Sequence, residues 1–151
     1  MKLKLRSIVG ASIGAFVLSI AAAGGANAIS SSGTAYFDNG QPITANMWIQ
    51  SLTAGTCGSF SSSAVMNVSP NYITNNTKFY QIGVGGISVS GVSASQVGGD
   101  PANLTWTNSN GARGSYMSGN VCGGWGMLYL GADVSASAFY YGNYRVATAH
   151  V

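Results

Sequence analysis

The sequence feature that most constrains the fold is a repeated alternation between apolar and mostly polar side chains. In the segment 43–50 every second residue is apolar, and the residues between are Thr44, Asn46, Trp48 and Gln50. A period of two is the pattern of a β-strand with one buried and one exposed face. The same pattern predicts strands in the segments 33–38, 64–69, 78–84, 87–97, 102–107, 115–122, 125–130, 134–141 and 143–149.

Clusters of Gly, Asn, Asp and Ser separate these segments and predict tight turns, because Gly and Asn adopt the positive φ angles that hairpins require. Helix is disfavoured, since Leu is scarce after the first 28 residues and Glu is absent. About nine or ten short strands, spaced roughly 8–12 residues apart, predict an antiparallel β-sandwich. A small closed β-barrel is the alternative.

The N-terminal region has the layout of a secretory signal peptide. Lys2, Lys4 and Arg6 precede an apolar run, which ends at the small residues of Ala26-Asn27-Ala28. We therefore expect cleavage near Ala28, secretion of the chain, and a single all-β domain over residues 29–151, in which 29–32 form a loose end. An uncleaved membrane anchor is the alternative, but the apolar run is short for a spanning helix.

Removal of residues 1–28 also removes the apparent basicity of the chain. The basic residues that remain equal the acidic ones in number, so the net charge of the expected domain is zero; these residues are Lys78, Arg113, Arg145, Asp38, Asp100 and Asp133. Three scattered basic residues cannot follow a phosphate backbone. The sequence therefore excludes nucleic acid as a partner.

Cys57 and Cys122 are the two cysteines, and both lie in the predicted exported domain. An even cysteine count in an oxidising compartment predicts one disulfide. A metal centre would need further ligands, yet His150 is the single histidine of the chain. We expect neither a metal nor a cofactor.

Residues for acid–base or nucleophilic catalysis are few. Asp38, Asp100 and Asp133 each lie in or beside a predicted turn, where a carboxylate commonly accepts hydrogen bonds from backbone amides. His150 is next to the last residue given, and no Gly-x-Ser-x-Gly motif accompanies it. The sequence therefore predicts a protein that is not an enzyme.

Aromatic residues among Asn, Gln, Ser and Thr are the most prominent candidates for a binding surface. Aromatic rings beside amides and hydroxyls suit neutral glycans, which present C–H faces and hydroxyl groups. Trp48 is favoured because its strand face carries Thr44, Asn46 and Gln50. The other candidate ligand contacts are Trp106, Tyr140, Tyr141 and Tyr144. The alternative is that these rings fill a core that is poor in Leu and Ile.

The segment 87–97 supports a function of a different class. It is uncharged and alternating, it is as long as a transmembrane β-strand, and a phase slip at Gly91 indicates a bulge. This pattern fits a membrane-active antibacterial or pore-forming, toxin-like protein that inserts 87–97 into a bilayer. An ordinary half-buried strand would have the same pattern.

The low charge of the chain, 6% of its residues, favours an assembled state, because uncharged alternating strands pair readily at their edges. The favoured hypothesis is a secreted, non-catalytic binding or surface-assembly protein, whose partners are cell-wall or cell-surface polysaccharide or further copies of itself. The membrane-active protein is the second hypothesis. The third is an exported protease inhibitor that presents the loop 55–59 beside the disulfide.

Overall fold

A computed structural model describes residues 28–93 and 102–151, and within them the chain is all-β, with 71% of residues in strands and no helix. The strands of this part are β1 (Ala28–Tyr36), β2 (Pro42–Gln50), β3 (Cys57–Met66), β4 (Tyr72–Val84), β5 (Ser88–Ser90), β6 (Asn103–Asn108), β7 (Gly114–Cys122), β8 (Gly126–Tyr140) and β9 (Asn143–His150). The predicted signal peptide lies outside the described residues except for Ala28, and so do Asp100 and residues 94–97 of the segment 87–97.

The strands form two antiparallel sheets that are not closed into a barrel, which confirms the predicted β-sandwich. The five-stranded sheet has the order β1-β2-β3-β7-β5, and the four-stranded sheet has the order β6-β4-β8-β9. No helix among the described residues has the length and apolar character needed to cross a membrane.

The core lies between the sheets and is built from the inward faces of their strands. Phe60 of β3 and Phe79 of β4 meet there edge to face, with their ring centroids 4.8 Å apart. In β2 the apolar set of the alternating segment is buried, including Ile43 and Met47, as the period of two predicts.

Four polar residues are also buried in this core. The Asn75 side-chain amide donates to the Ser62 hydroxyl at 3.0 Å, and the Thr77 hydroxyl donates to the same oxygen at 2.6 Å. Ser115 of β7 donates to the Trp106 carbonyl of β6 at 2.7 Å. These bonds join the two sheets, and no buried side-chain polar atom of the described part lacks a partner, as low-energy burial requires.

This polar network explains why the predicted segments 64–69 and 78–84 begin too late. Ser62, Asn75 and Thr77 occupy inward positions that an apolar residue normally fills, so the apolar alternation is interrupted between Phe60 and Ala64 in β3 and between Ile73 and Phe79 in β4. The expected strands 125–130 and 134–141 are likewise a single strand, β8.

Glycine at position 131 is required within β8, although the sequence pattern favoured a turn there. A side chain at Gly131 would overlap the ring of Tyr80 on β4. The residue is therefore small because Tyr80 packs across it. Asp133 also lies within β8 and not in the expected turn.

The expectation of a loose end at residues 29–32 is wrong. β1 pairs with β2 along its whole length, from Ala28 opposite Gln50 to Tyr36 opposite Pro42. Its edge also packs on the other sheet, because Gly33 lies against the Thr148 carbonyl of β9. Pairing on one side and packing on the other hold this end of the described chain in place.

Candidate binding site on the five-stranded sheet

A shallow trough of about 240 Å³ lies on the outer face of the five-stranded sheet. Trp48 of β2 and Tyr116 of β7 border it, and β3 lies between these two strands. The remaining lining is mostly polar and includes Asn46, Ser61, Ser63, Ser93 and Ser118. We refer to this surface as the trough.

Alternation along β2 and β7 directs the two aromatic side chains outwards. Met47 and Met117 are buried, so their neighbours Trp48 and Tyr116 lie on the opposite face, 38% and 62% exposed. Trp48 is paired with Ser61, whereas Tyr116 is paired with Ser63, so the two aromatic residues are offset by two positions along β3. The outward side chains of β3 between these two strands are the short ones of Ser61 and Ser63.

Hydrogen bonds between side chains order the polar surface of the trough. Ser32 donates to the Asn46 side-chain oxygen at 2.9 Å, and the Asn46 amide donates to the Ser63 hydroxyl at 3.1 Å. These bonds form a row across β1, β2 and β3. Because a hydroxyl has one donor and two acceptor lone pairs, the Ser63 oxygen keeps capacity for a further partner.

Ser93 closes the trough beyond β7. Its backbone amide donates to the Ser118 carbonyl at 2.9 Å, and the Ser118 amide donates to the Ser93 hydroxyl at 3.1 Å. The two hydroxyls are also 3.1 Å apart. This pairing holds two hydroxyl groups side by side at the edge of the trough.

The trough has no ionisable side chain apart from the Tyr116 phenol, since Asp, Lys, Arg and His are absent from its lining. Elsewhere in the described ranges, no group of three or more His, Cys, Asp or Glu residues could hold a metal ion. Asp38 lies in the predicted turn and forms an ion pair with Arg145. The trough therefore suits an uncharged ligand that is held by stacking and hydrogen bonds.

The other aromatic candidates do not lie beside Trp48. Trp106 is half-buried on β6, where it packs against the core between the sheets. Tyr140 packs against Phe37 with ring centroids 5.6 Å apart, and Tyr141 is exposed in the turn between β8 and β9. These two rings line a separate cavity of about 100 Å³ at the end of the sandwich.

Tyr144 lies on β9 and belongs to a third location, on the outer face of the four-stranded sheet. It is paired with Phe139, whose ring stacks on Tyr72 at a centroid separation of 5.9 Å. The structure thus distributes the five predicted residues over separate surfaces.

Tyr116 was not among the predicted contacts. Because Tyr116 alternates with the apolar Met117, the sequence indicates that the Tyr116 side chain points outwards. No local sequence pattern indicates that β7 pairs with β3. Only that pairing brings Tyr116 to the trough.

The segments of the other two hypotheses have simple local structures. Within 87–97 only Ser88–Ser90 forms a described strand, β5, and Gly91 follows it with a positive φ of 62°. In the loop 55–59, Gly55 donates to the Gly124 carbonyl, and Cys57 begins β3 with its disulfide to Cys122.

Comparison of this chain with protein families, with characterised proteins and with solved structures finds no match.

Proposed function

We propose that this chain is an exported, non-catalytic binding protein that holds a neutral glycan of a cell wall or cell surface in the trough. The observation that carries this proposal is the placement of Trp48 and Tyr116 on either side of a serine-lined floor. Aromatic rings pack on the C–H faces of a sugar, and the hydroxyls and amides between them match its hydroxyl groups.

The absence of charge in the trough supports a neutral ligand over a phosphorylated or carboxylated one. Anionic ligands are bound through Arg, Lys or helix N-termini, and the described part of the chain places none of these in the trough. The exposed area of the two rings supports the proposal as well, since covering water-exposed apolar surface with a ligand is favourable in free energy.

The experiment is a retention assay on insoluble cell-wall polysaccharide, followed by calorimetric titration with oligosaccharides released from it. We expect Trp48→Ala and Tyr116→Ala each to weaken binding about tenfold, which corresponds to about 1.4 kcal/mol. Tyr144→Ala is the matched control, because Tyr144 is exposed and lies on the other sheet. If wild type binds the polysaccharide and both trough variants bind it equally well, the proposed site is contradicted.

A further inference from the structure

Four large apolar side chains are exposed at one end of the sandwich. Ile82 and Val84 near the end of β4 are 59% and 60% exposed. Trp125, which directly precedes β8, is 77% exposed, and Leu128 near the start of β8 is 83% exposed. The pairing of β4 with β8 places them at the same end of the sheet, since Val84 lies opposite Gly126 and Ile82 lies opposite Tyr129. We call these four residues the apolar tip.

The apolar tip lies on a part of the sheet that extends past its neighbouring strands. β6 pairs with β4 only as far as Lys78, and β9 pairs with β8 only as far as Asp133. The pairs from Ile82–Tyr129 to Val84–Gly126 therefore have no further strand beside them in the described ranges. The tip lies at the end of this two-stranded extension of the four-stranded sheet.

Several backbone groups beside the apolar tip form hydrogen bonds within the protein. The Gln81 side chain donates to the Gly85 carbonyl and accepts from the Gly124 amide at 3.1 Å. The Gly124 carbonyl in turn accepts from Gly55 at 2.9 Å and from Met127 at 3.1 Å. These bonds satisfy backbone groups of Gly55, Gly85, Gly124 and Met127, whereas the outer edges of the β4–β8 extension keep backbone groups that the polar interfacial layer of a bilayer can hydrogen-bond.

Charged side chains of the described part lie away from the apolar tip. Asp38, Arg113 and Arg145 lie at the opposite ends of their strands or in the turns there. Lys78 and Asp133 are cross-strand partners farther along the β4–β8 pair, and His150 is paired with Asp133. No anionic or cationic headgroup is favoured by such a surface.

The apolar surface continues beyond the tip itself. Leu128 and Tyr129 share a small cavity with Ile29 and Leu52 from the other sheet. Behind them Tyr80 and Tyr129 form a ring pair with centroids 6.1 Å apart. Aliphatic residues ahead of tyrosines follow the order found where a protein enters the membrane interface.

From these observations we propose that the apolar tip inserts into the interfacial layer of a lipid bilayer with uncharged or zwitterionic headgroups. The tip presents three aliphatic side chains and one indole and has no charged side chain, which suits fluid acyl chains that need no complementary shape. The insertion is shallow and does not span the bilayer. It uses different residues from the segment 87–97, and it is independent of the proposed function because the trough shares no residue with the tip.

The proposal is tested by mixing the protein, as it is recovered from the expressing cell, with phosphatidylcholine vesicles. We expect the chain to co-float with the vesicles, and brominated phosphatidylcholine to quench part of its tryptophan emission. The quenched part belongs to Trp125, so it disappears in Trp125→Phe, in which Trp48 and Trp106 still emit. This fluorescence readout reports on the tip alone, whatever residues 1–27 contribute to flotation.

The double variant Val84→Thr, Leu128→Gln should lower the partition coefficient about tenfold, because it removes exposed apolar surface from the tip. Tyr141→Asn is the matched control: it removes a ring that is 81% exposed at the opposite end, at a position with a φ of 53° that Asn tolerates. We expect this control to bind as wild type does.

Three results would overturn the proposal. The first is wild-type emission that brominated lipid does not quench, and the second is equal partitioning of the double variant and wild type. The third is a dimer in sedimentation velocity that the double variant abolishes while neither protein binds vesicles, which would assign the tip to a second copy of the chain.

Discussion

Trp48 and Tyr116 face the same solvent-exposed trough from strands that are not neighbours, with Ser61 and Ser63 of β3 between them. The two aromatic residues are 68 positions apart in the printed sequence, and the order β2-β3-β7 places them on opposite borders of one surface. The small side chains on β3 leave the space between the rings open. This relationship gives the trough its shape.

Filling the floor of the trough should block binding without affecting the fold. Ser61 is exposed between Trp48 and Ser118, so Ser61→Leu places a bulky side chain between the two rings and leaves the core untouched. We expect glycan retention to fall about tenfold or more, with a urea midpoint close to that of wild type. Thr34→Leu on β1 is the control, since Thr34 lies on the same face but outside the trough. Normal glycan binding by Ser61→Leu would show that the binding site is not in the trough.

Close packing of β1 on β9 should make position 33 intolerant of any side chain. A Cβ at Gly33 would overlap the backbone carbonyl oxygen of Thr148. We expect Gly33→Ala to lower the free energy of unfolding by about 1–3 kcal/mol, because backbone must move to accept the methyl group. Gly86→Ala, where nothing lies within 4 Å, should change it by less than about 0.5 kcal/mol. Urea denaturation of both variants measures the difference.

The buried amide of Asn75 should not tolerate replacement by a carboxylate. Burial raises the pKa of a carboxyl group, so a folded Asn75→Asp variant retains a proton that the unfolded chain releases above about pH 4. The variant should be near wild-type stability at pH 3 and lose on the order of 3 kcal/mol by pH 7. Asn71→Asp, at an exposed position, should show little pH dependence relative to wild type. Equal behaviour of the two variants in urea would contradict the burial of Asn75.

The disulfide should contribute mainly by restricting the unfolded chain. Cys57 and Cys122 are directly paired in the β3–β7 register, and 65 positions separate them along the chain. The simple loop-entropy calculation gives about 4 kcal/mol for such a separation. We expect the double variant Cys57→Ser, Cys122→Ser to lose about 2–4 kcal/mol in urea denaturation. Reductant should destabilise wild type by a similar amount and have no effect on the double variant.

Stability should decline in alkaline solution partly because of Tyr80. Burial and the neighbouring Tyr129 raise the pKa of Tyr80 above its ordinary value of 10.0, and Asp133 adds to the effect. A group whose pKa is raised by folding stabilises the fold below the unfolded-state pKa, and this contribution is lost as the pH rises above 10.0. The melting temperature of Tyr80→Phe should therefore fall less than that of wild type between pH 9 and pH 11. An equal fall would show that Tyr80 ionises normally.

The alternating segments were sufficient to predict the fold class, because apolar side chains on every second residue can be buried together only on one face of a strand. The pattern failed where polar side chains point inwards. Ser62, Asn75 and Thr77 resemble exposed residues in the sequence, and their hydrogen bonds to one another make burial acceptable. No local rule reveals such partners, since they come from different strands.

The sequence by itself determined the direction of individual side chains. The alternation of β2 is enough to place Trp48 opposite Met47, because the backbone geometry of a strand sends successive side chains to opposite faces. Only the tertiary structure decided which strands lie side by side. The order β2-β3-β7 brings Tyr116 to Trp48, and the length of the β4–β8 pair exposes Leu128. Strand order depends on long-range packing and register across the whole core, and a pattern of a few residues carries no information on that.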